Sequence, residues 1–465
     1  FETGVEGAAH EHFLRGLALL HNFEYDRAAA AFRESQEADP DWVMPYWGEA
    51  MTHNHPLWEQ QDREAALEIL ARLDPGREGR LAKTRSPREA AWLDAVETLY
   101  GTDGSGGSKE ERDFLYLAKM RALLVRDPAD IDARAFTGLA VLGTSHGGRD
   151  IALYMEAAGL LESGFMTHEQ HPGILHYLIH SYDDPVHAPL GERMAERYAR
   201  VAPGAGHAQH MISHIYNALG DWEASERANV LADGVVDRQR AAAGRDPADC
   251  GHYNEWLVYA RLQQGKDASD IVSGCRATAL KGDPVYGSLW SYATMAGWQA
   301  VDTGSWPDPL GEGADEFPLI RLKMAHIEAL RRSEDAALLD ETLAAMTQDL
   351  AALETSLAKW APDDRTTMPW AERARAQVAA LRVLASGDQP GGLAALRAAA
   401  EAESALPVVF GPPVIPKPSW ELLGEKLLEA GRRDEAAEAF RRSLEFAPGR
   451  KLSIEGLAAA TGQGG

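Results

Sequence analysis

An all-α fold of repeated helical hairpins is predicted by three observations. Segments such as Ala28–Arg33 and Asp434–Phe440 are rich in Ala, Glu and Arg, with apolar residues at helical spacing. Short breakers, Asp39-Pro40, Asp74-Pro75, Pro203-Gly204 and Ala447-Pro448-Gly449, divide the chain into stretches of helix length. Small and aromatic residues then recur at a 34-residue period. No run of alternating β-branched residues argues for a strand.

The elements follow in order. The first unit carries Gly16, Leu19, Ala28, Phe32 and Pro40, and the second Trp47-Gly48, Met51 and, after an insertion with Asn54-His55-Pro56, Pro75. The C-terminal unit is the cleanest: Trp420, Leu423-Gly424, Leu427, Ala436, Phe440 and Pro448 stand at unit positions 4, 7, 8, 11, 20, 24 and 32. Gly and Ala at positions 8 and 20 let two helices approach closely, the aromatic residue fills the gap between hairpins, and Pro ends the second helix. This pattern resembles the tetratricopeptide (TPR) repeat. The resemblance implies a superhelix, or solenoid, with a concave central groove.

One array over 1–465 is expected. Within it, 1–80 holds the N-terminal repeats, 81–165 degenerate repeats, 166–265 a His-rich section, 266–406 further degenerate repeats, and 407–465 a Pro-rich loop and the C-terminal repeat. Gly101–Ser108 reads as an exposed loop. Pro407–Pro418, with five prolines in twelve residues, reads as an extended stretch lying across a groove.

Composition removes several function classes. Lys plus Arg number 46 against 71 Asp plus Glu, a net charge of −25. Such a chain lacks the clustered cations that bind nucleic acid or anionic membranes. No apolar stretch approaches about 18 residues, so no membrane insertion is expected. Two cysteines, Cys250 and Cys275, exclude a Cys-rich zinc module and leave either one disulfide or two thiols. The chain begins at Phe1 with no leader in view, which leaves export open.

Histidine is the informative residue. Of 16 His, eight lie between 168 and 214: His168, His171, His176, His180, His187, His207, His210 and His214. With Pro203 at position 32, His176 and His210 both fall at position 5, His180 and His214 at position 9, His207 at 2 and Asp183 at 12. Aligning Gly265 with Gly220 puts His252 at 2 and Glu255 at 5 of the next unit. In TPR proteins these positions line the concave groove, and residues three and four apart share a helix face. Packed helices stand about 8–10 Å apart, within reach of a shared metal ion.

His176, His180, His207, His210, His214, His252, Glu255 and Asp183 are therefore the expected metal ligands. His53, His55, His171, Asp184 and His187 are further ligands or groups that orient the imidazoles. His10, His12, His21 and His326 read as ordinary, and His146 and His168 as loop residues. Imidazole and carboxylate donors without Cys suit copper or iron first and zinc next. His-Glu-x-x-His is absent, which disfavours a zincin peptidase, and no P-loop or nucleophile elbow is present.

The runs His171-Pro172-Gly173-Ile174-Leu175-His176-Tyr177-Leu178-Ile179-His180-Ser181-Tyr182-Asp183-Asp184-Pro185-Val186-His187-Ala188 and His207-Ala208-Gln209-His210-Met211-Ile212-Ser213-His214-Ile215 resemble a family of bacterial TPR proteins. Members share this pair of His-rich helices, the early Asn-His-Pro and a terminal Leu-Leu-Gly repeat. The resemblance implies the fold, the metal site and, because members often carry an export leader, an extracytoplasmic setting; it brings no shared activity. The sequence thus points to a metal-dependent enzyme with a mono- or binuclear His/carboxylate site acting on a small organic substrate. Oxidoreductase chemistry is preferred, with catalytic residues beyond the ligands unassigned. The rival readings are a scaffold that binds a peptide or protein partner in its groove, with a structural metal or none, and a metal-dependent hydrolase.

Overall fold

Phe32 is wedged between two glycines. A Cβ added at Gly16 would stand 2.7 Å from its ring, and one at Gly48 2.4 Å. Phe440 sits the same way between Gly424 and Gly456, at 2.8 and 2.3 Å. These two wedges set the spacing of successive hairpins at the two ends of the chain, since only a residue without Cβ allows so close an approach.

The computed structural model describes residues 3–282, 285–310, 316–361 and 364–462. The protein is all-α, a series of helical hairpins, with essentially no sheet among the described residues. It forms two compact units: Phe1–Tyr182 with Leu190–Ile212, and Asp183–Pro189 with Ser213–Gly465.

The first unit opens with the hairpin Ala8–His21 and Tyr25–Ala38, followed by Val43–Met51 and Arg63–Leu73. Between these last two, the insertion folds into a short antiparallel pair, Asn54–His55 with Gln60–Gln61. The helical pattern gave no warning of it. Further hairpins are Pro87–Tyr100 with Lys109–Arg126 and Ile131–Leu142 with Ile151–Phe165, and Pro172–Tyr182 packs on the last of these. The stretch read as degenerate is built of helices joined by short loops here. Its starts are marked by local chemistry: Ser86 and Asp130 accept from backbone N–H groups, and Ser108 with Glu111 forms a capping box. Gly101–Ser108 is the loop between two of these helices.

In the second unit the order is Trp222–Ala242, His252–Gln263, Ser269–Ala279, Tyr286–Thr303, Pro318–Arg331, Ala336–Trp360, Thr367–Ala385, Gln389–Ser404, Ser419–Glu429, Arg433–Phe446 and Lys451–Thr461. Cys250 and Cys275 are joined as a disulfide, which ties the start of one helix to the next hairpin. A buried ion network anchors the last helices. Arg450 donates from Nε and Nη2 to the two Glu421 oxygens at 2.8 Å each and reaches the Tyr259 hydroxyl at 3.2 Å. Among the described residues no helix is long and apolar enough to cross a membrane.

Candidate metal centre

Three of the expected ligands meet in the first unit. His176 and His180 are one turn apart on Pro172–Tyr182, both buried, and half-buried His207 stands at the start of Gly206–Leu219. One ligand atom from each lies within 4.8 Å of the others. The His176 Nδ1–H donates to the carbonyl oxygen of His21 at 2.6 Å. A carbonyl can only accept, so the proton is on Nδ1 and Nε2 carries the lone pair. That Nε2 stands 3.2 Å from Nε2 of His180.

Aromatic residues surround the three rings. Phe23 lies 4.4 Å from His176, 6.0 Å from His180 and 5.6 Å from His207, centroid to centroid. It holds φ of +55°, a conformation uncommon for a bulky residue, in the tight link between the first two helices. Tyr198 stacks on His176 at 5.4 Å, and its hydroxyl donates to Asn22 Oδ1 at 2.6 Å. Trp58, 48% exposed, stands 6.4 Å from His207 on the solvent side.

A second group lies in the same unit: His21, Asp132 and His171. His171 and His21 face one oxygen of Asp132 from their Nε2 atoms, at 3.3 and 3.5 Å. Their Nδ1 atoms accept from the Ile174 N–H at 3.3 Å and the Tyr177 hydroxyl at 3.0 Å. All four ring nitrogens are thus matched to protein partners by donors and acceptors of the right kind. Burial lowers the His21 pKa to about 4, against the pull of the Asp132 hydrogen bond. The Asp132 carboxyl, although burial opposes ionisation, is held well below its usual range by the two imidazoles. This group is self-sufficient hydrogen bonding. His21, read from the sequence as ordinary, is one of its members and also supplies the carbonyl that orients His176.

The remaining expected residues lie outside this trio. His210 is fully buried, with its ring 6.2 Å from that of His207. His55 stacks on Tyr25 at 4.0 Å and donates from Nε2 to the Thr52 carbonyl at 3.1 Å, while the His53 carbonyl accepts from Asp62 N–H at 2.9 Å. In the second unit, Asp183 meets His214 Nδ1 at 2.5 Å, and His214 stacks on Trp256 at 4.3 Å. Exposed His252 is edge-on to the same Trp256 at 5.8 Å. Asp184 accepts from His187 Nδ1 at 2.8 Å. Glu255 accepts from the Ser291 hydroxyl at 2.5 Å, and burial raises its pKa to about 7 despite that bond and the pull of Lys323. Buried His326 bonds Gln377, and His146 bonds Asp113 from its loop.

Sequence reasoning missed Phe23 and Asp132. Neither sits at a repeat position that faces a groove, and no local signal marks them.

No protein-family model matches the chain, and neither does any curated protein. Among solved structures it is similar to the crystal structure of the yeast Tom70, at 13% identity and a TM-score of 0.33, covering 98% of this chain and 96% of that one. At that TM-score the likeness carries no argument about function.

Proposed function

We propose that His176, His180 and His207 hold one transition-metal ion and that the protein is a metal-dependent enzyme acting on a small organic substrate. A single observation carries this reading: two buried imidazoles turn Nε2 toward Nε2, with a third imidazole in reach of both. With the His176 Nε2 an acceptor, the 3.2 Å gap is filled either by a proton on the His180 Nε2 or by one shared cation. Three neutral nitrogen donors leave coordination positions open, as catalytic sites do and closed structural sites do not. Copper or iron is the first choice and zinc the next. A copper or iron ion would supply redox chemistry, which makes an oxidoreductase the preferred class, whereas zinc would activate water for hydrolysis.

The chain's own residues would do the rest. The His21 carbonyl fixes the tautomer and orientation of His176. Phe23 and Tyr198 keep bulk water from the rings, and Trp58 marks the open side. A cavity lined by Phe23, Tyr25, Asn54, Tyr116 and Tyr177 borders the same aromatic wall and would admit only a small molecule. The Cys250–Cys275 disulfide supports an extracytoplasmic setting.

The test is elemental analysis of untagged protein beside the His176→Ala/His207→Ala variant. About one equivalent of copper or iron per chain, lost in a variant that keeps its helical circular dichroism, is the expected result. Metal far below one equivalent, unchanged by the substitutions, would sink the reading. The repeat fold itself favours a second reading, a protein-binding scaffold with a structural metal. There, small exogenous ligands such as azide would leave the metal's spectrum unchanged.

A further inference from the structure

The Pro-rich stretch that no part of the metal centre uses forms one wall of a cavity in the second unit. A cavity of about 100 Å³ is bounded there by Pro407, Val408, Val409, Pro413 and Val414 of this strap. The strap is fastened at three points. Trp298 Nε1 donates to the Pro413 carbonyl at 3.1 Å, and Gln377 Nε2 to the Lys417 carbonyl at 2.8 Å. Gly411, at φ +79°, lies against Trp256 so closely that a Cβ would stand 2.1 Å from the indole. The cavity is therefore a built feature of the fold, open on one side to a small ligand.

Its lining is of one chemical kind. Trp222, Tyr259, Trp370 and Trp420 contribute aromatic rings. The Trp222 and Trp420 indole N–H groups donate to the Gly449 carbonyl and the Ser404 hydroxyl, so the polar edges of those rings are already satisfied. Three acidic side chains join them: Asp183 and Asp184, already paired with His214 and His187, and Glu403, whose pKa burial raises to about 7. Glu403 Oε2 accepts from the Ser419 N–H at 3.1 Å, and Glu403 is half-buried. Among the described residues that line the space there is no Lys or Arg.

We propose that this cavity binds an organic cation, an amine carried on an apolar or aromatic body. Ring faces attract a cation through their quadrupole, an ionised carboxyl adds direct attraction, and no Lys or Arg stands in the lining. An anion would meet three acidic side chains and no Lys or Arg in the lining. This inference does not depend on the metal centre.

The experiment uses the whole protein and three probes with one ring and different charge: phenethylamine, 2-phenylethanol and phenylacetate. Binding is followed by tryptophan fluorescence and calorimetry. The amine should bind saturably and about tenfold more tightly than the alcohol, with the carboxylate not binding. Glu403→Gln should weaken the amine about threefold or more and leave the alcohol unchanged. Trp370→Leu should weaken both, and if that variant fails to fold, the Glu403→Gln comparison decides. Equal affinity for amine and alcohol, preference for phenylacetate, or no saturable amine binding by folded protein would overturn the proposal.

Discussion

The Nε2 atoms of His176 and His180 stand 3.2 Å apart, on one helix and within reach of His207. Helix geometry alone brings i and i+4 side chains together, but burial of both rings turns proximity into an electrostatic problem. The His21 carbonyl denies His176 the tautomer that would place a proton between the two rings from its side. On the proposed reading a metal ion sits between the two nitrogens, and its removal should therefore be felt as lost stability.

Chelation of the metal-loaded protein should lower the melting temperature, and re-addition should restore it. A ligand at about 100 times its dissociation constant stabilises the native state by about 2.7 kcal/mol. For His207→Ala the shift should shrink to a small fraction of the parent's. Differential scanning fluorimetry with and without chelator measures this; an equal shift in parent and variant would place the metal elsewhere.

How much of this site was legible depends on what kind of signal each residue carries. His176 and His180 could be read because a repeat register converts a residue number into a helix face. His207 followed from the same register one unit on. His21 and Asp132 could not, since 111 residues separate them and their meeting depends on how distinct hairpins stack. Phe23 was hidden for a different reason: its place follows from a left-handed backbone conformation in a short link, which a bulky residue seldom adopts. The fold was more legible than the site. Gly16, Phe32 and Gly48 announce themselves, because a ring wedged against two helices demands residues without a Cβ. The disulfide left two open outcomes, and the small antiparallel pair at Asn54–His55 is too short for a two-residue periodicity to register.

Acidification should loosen the Pro-rich strap through His326. Burial lowers the pKa of this imidazole to about 4, partly countered by its 2.8 Å bond to Gln377 Oε1 and reinforced by nearby Lys323. Gln377 in turn donates to the Lys417 carbonyl and to Ser419. The unfolded chain takes up the proton near 6.5 and the folded chain only near 4, so stability is full above the first value and falls as pH drops between them. By pH 5 about 2 kcal/mol should be gone. Urea titrations at about pH 7.5 and 5 should give a smaller difference for His326→Asn than for the parent by that amount; identical differences would exclude His326 as the source.

Removal of Arg450 should be more costly than removal of any surface cation. Its guanidinium is fully buried, bridges both oxygens of Glu421 and stands 3.4 Å from Asp302. Arg450→Met leaves Asp302 without its cation and Glu421 with Lys417 alone, and should cost about 3–5 kcal/mol. Adding Glu421→Gln removes one of the stranded charges and should return part of that loss, so the double variant should be more stable than Arg450→Met alone. Chemical denaturation resolves the two, and a double variant equal to the sum of the singles would mean that the network is not coupled.

Gly48→Ala should destabilise the N-terminal hairpins by about 1–3 kcal/mol, because the new methyl group would stand 2.4 Å from the Phe32 ring. An exposed helix glycine would give the opposite sign, since Ala is the better helix former by about 1 kcal/mol. The sign of the change therefore reports the wedge itself. Pairing the substitution with Phe32→Leu frees the space the methyl needs. In that background the cost of Gly48→Ala should fall below about half its value in the parent, a coupling between two residues in direct contact. Thermal denaturation of the four proteins in this cycle measures it. Strict additivity would show that Phe32 does not set the distance between the first two repeats.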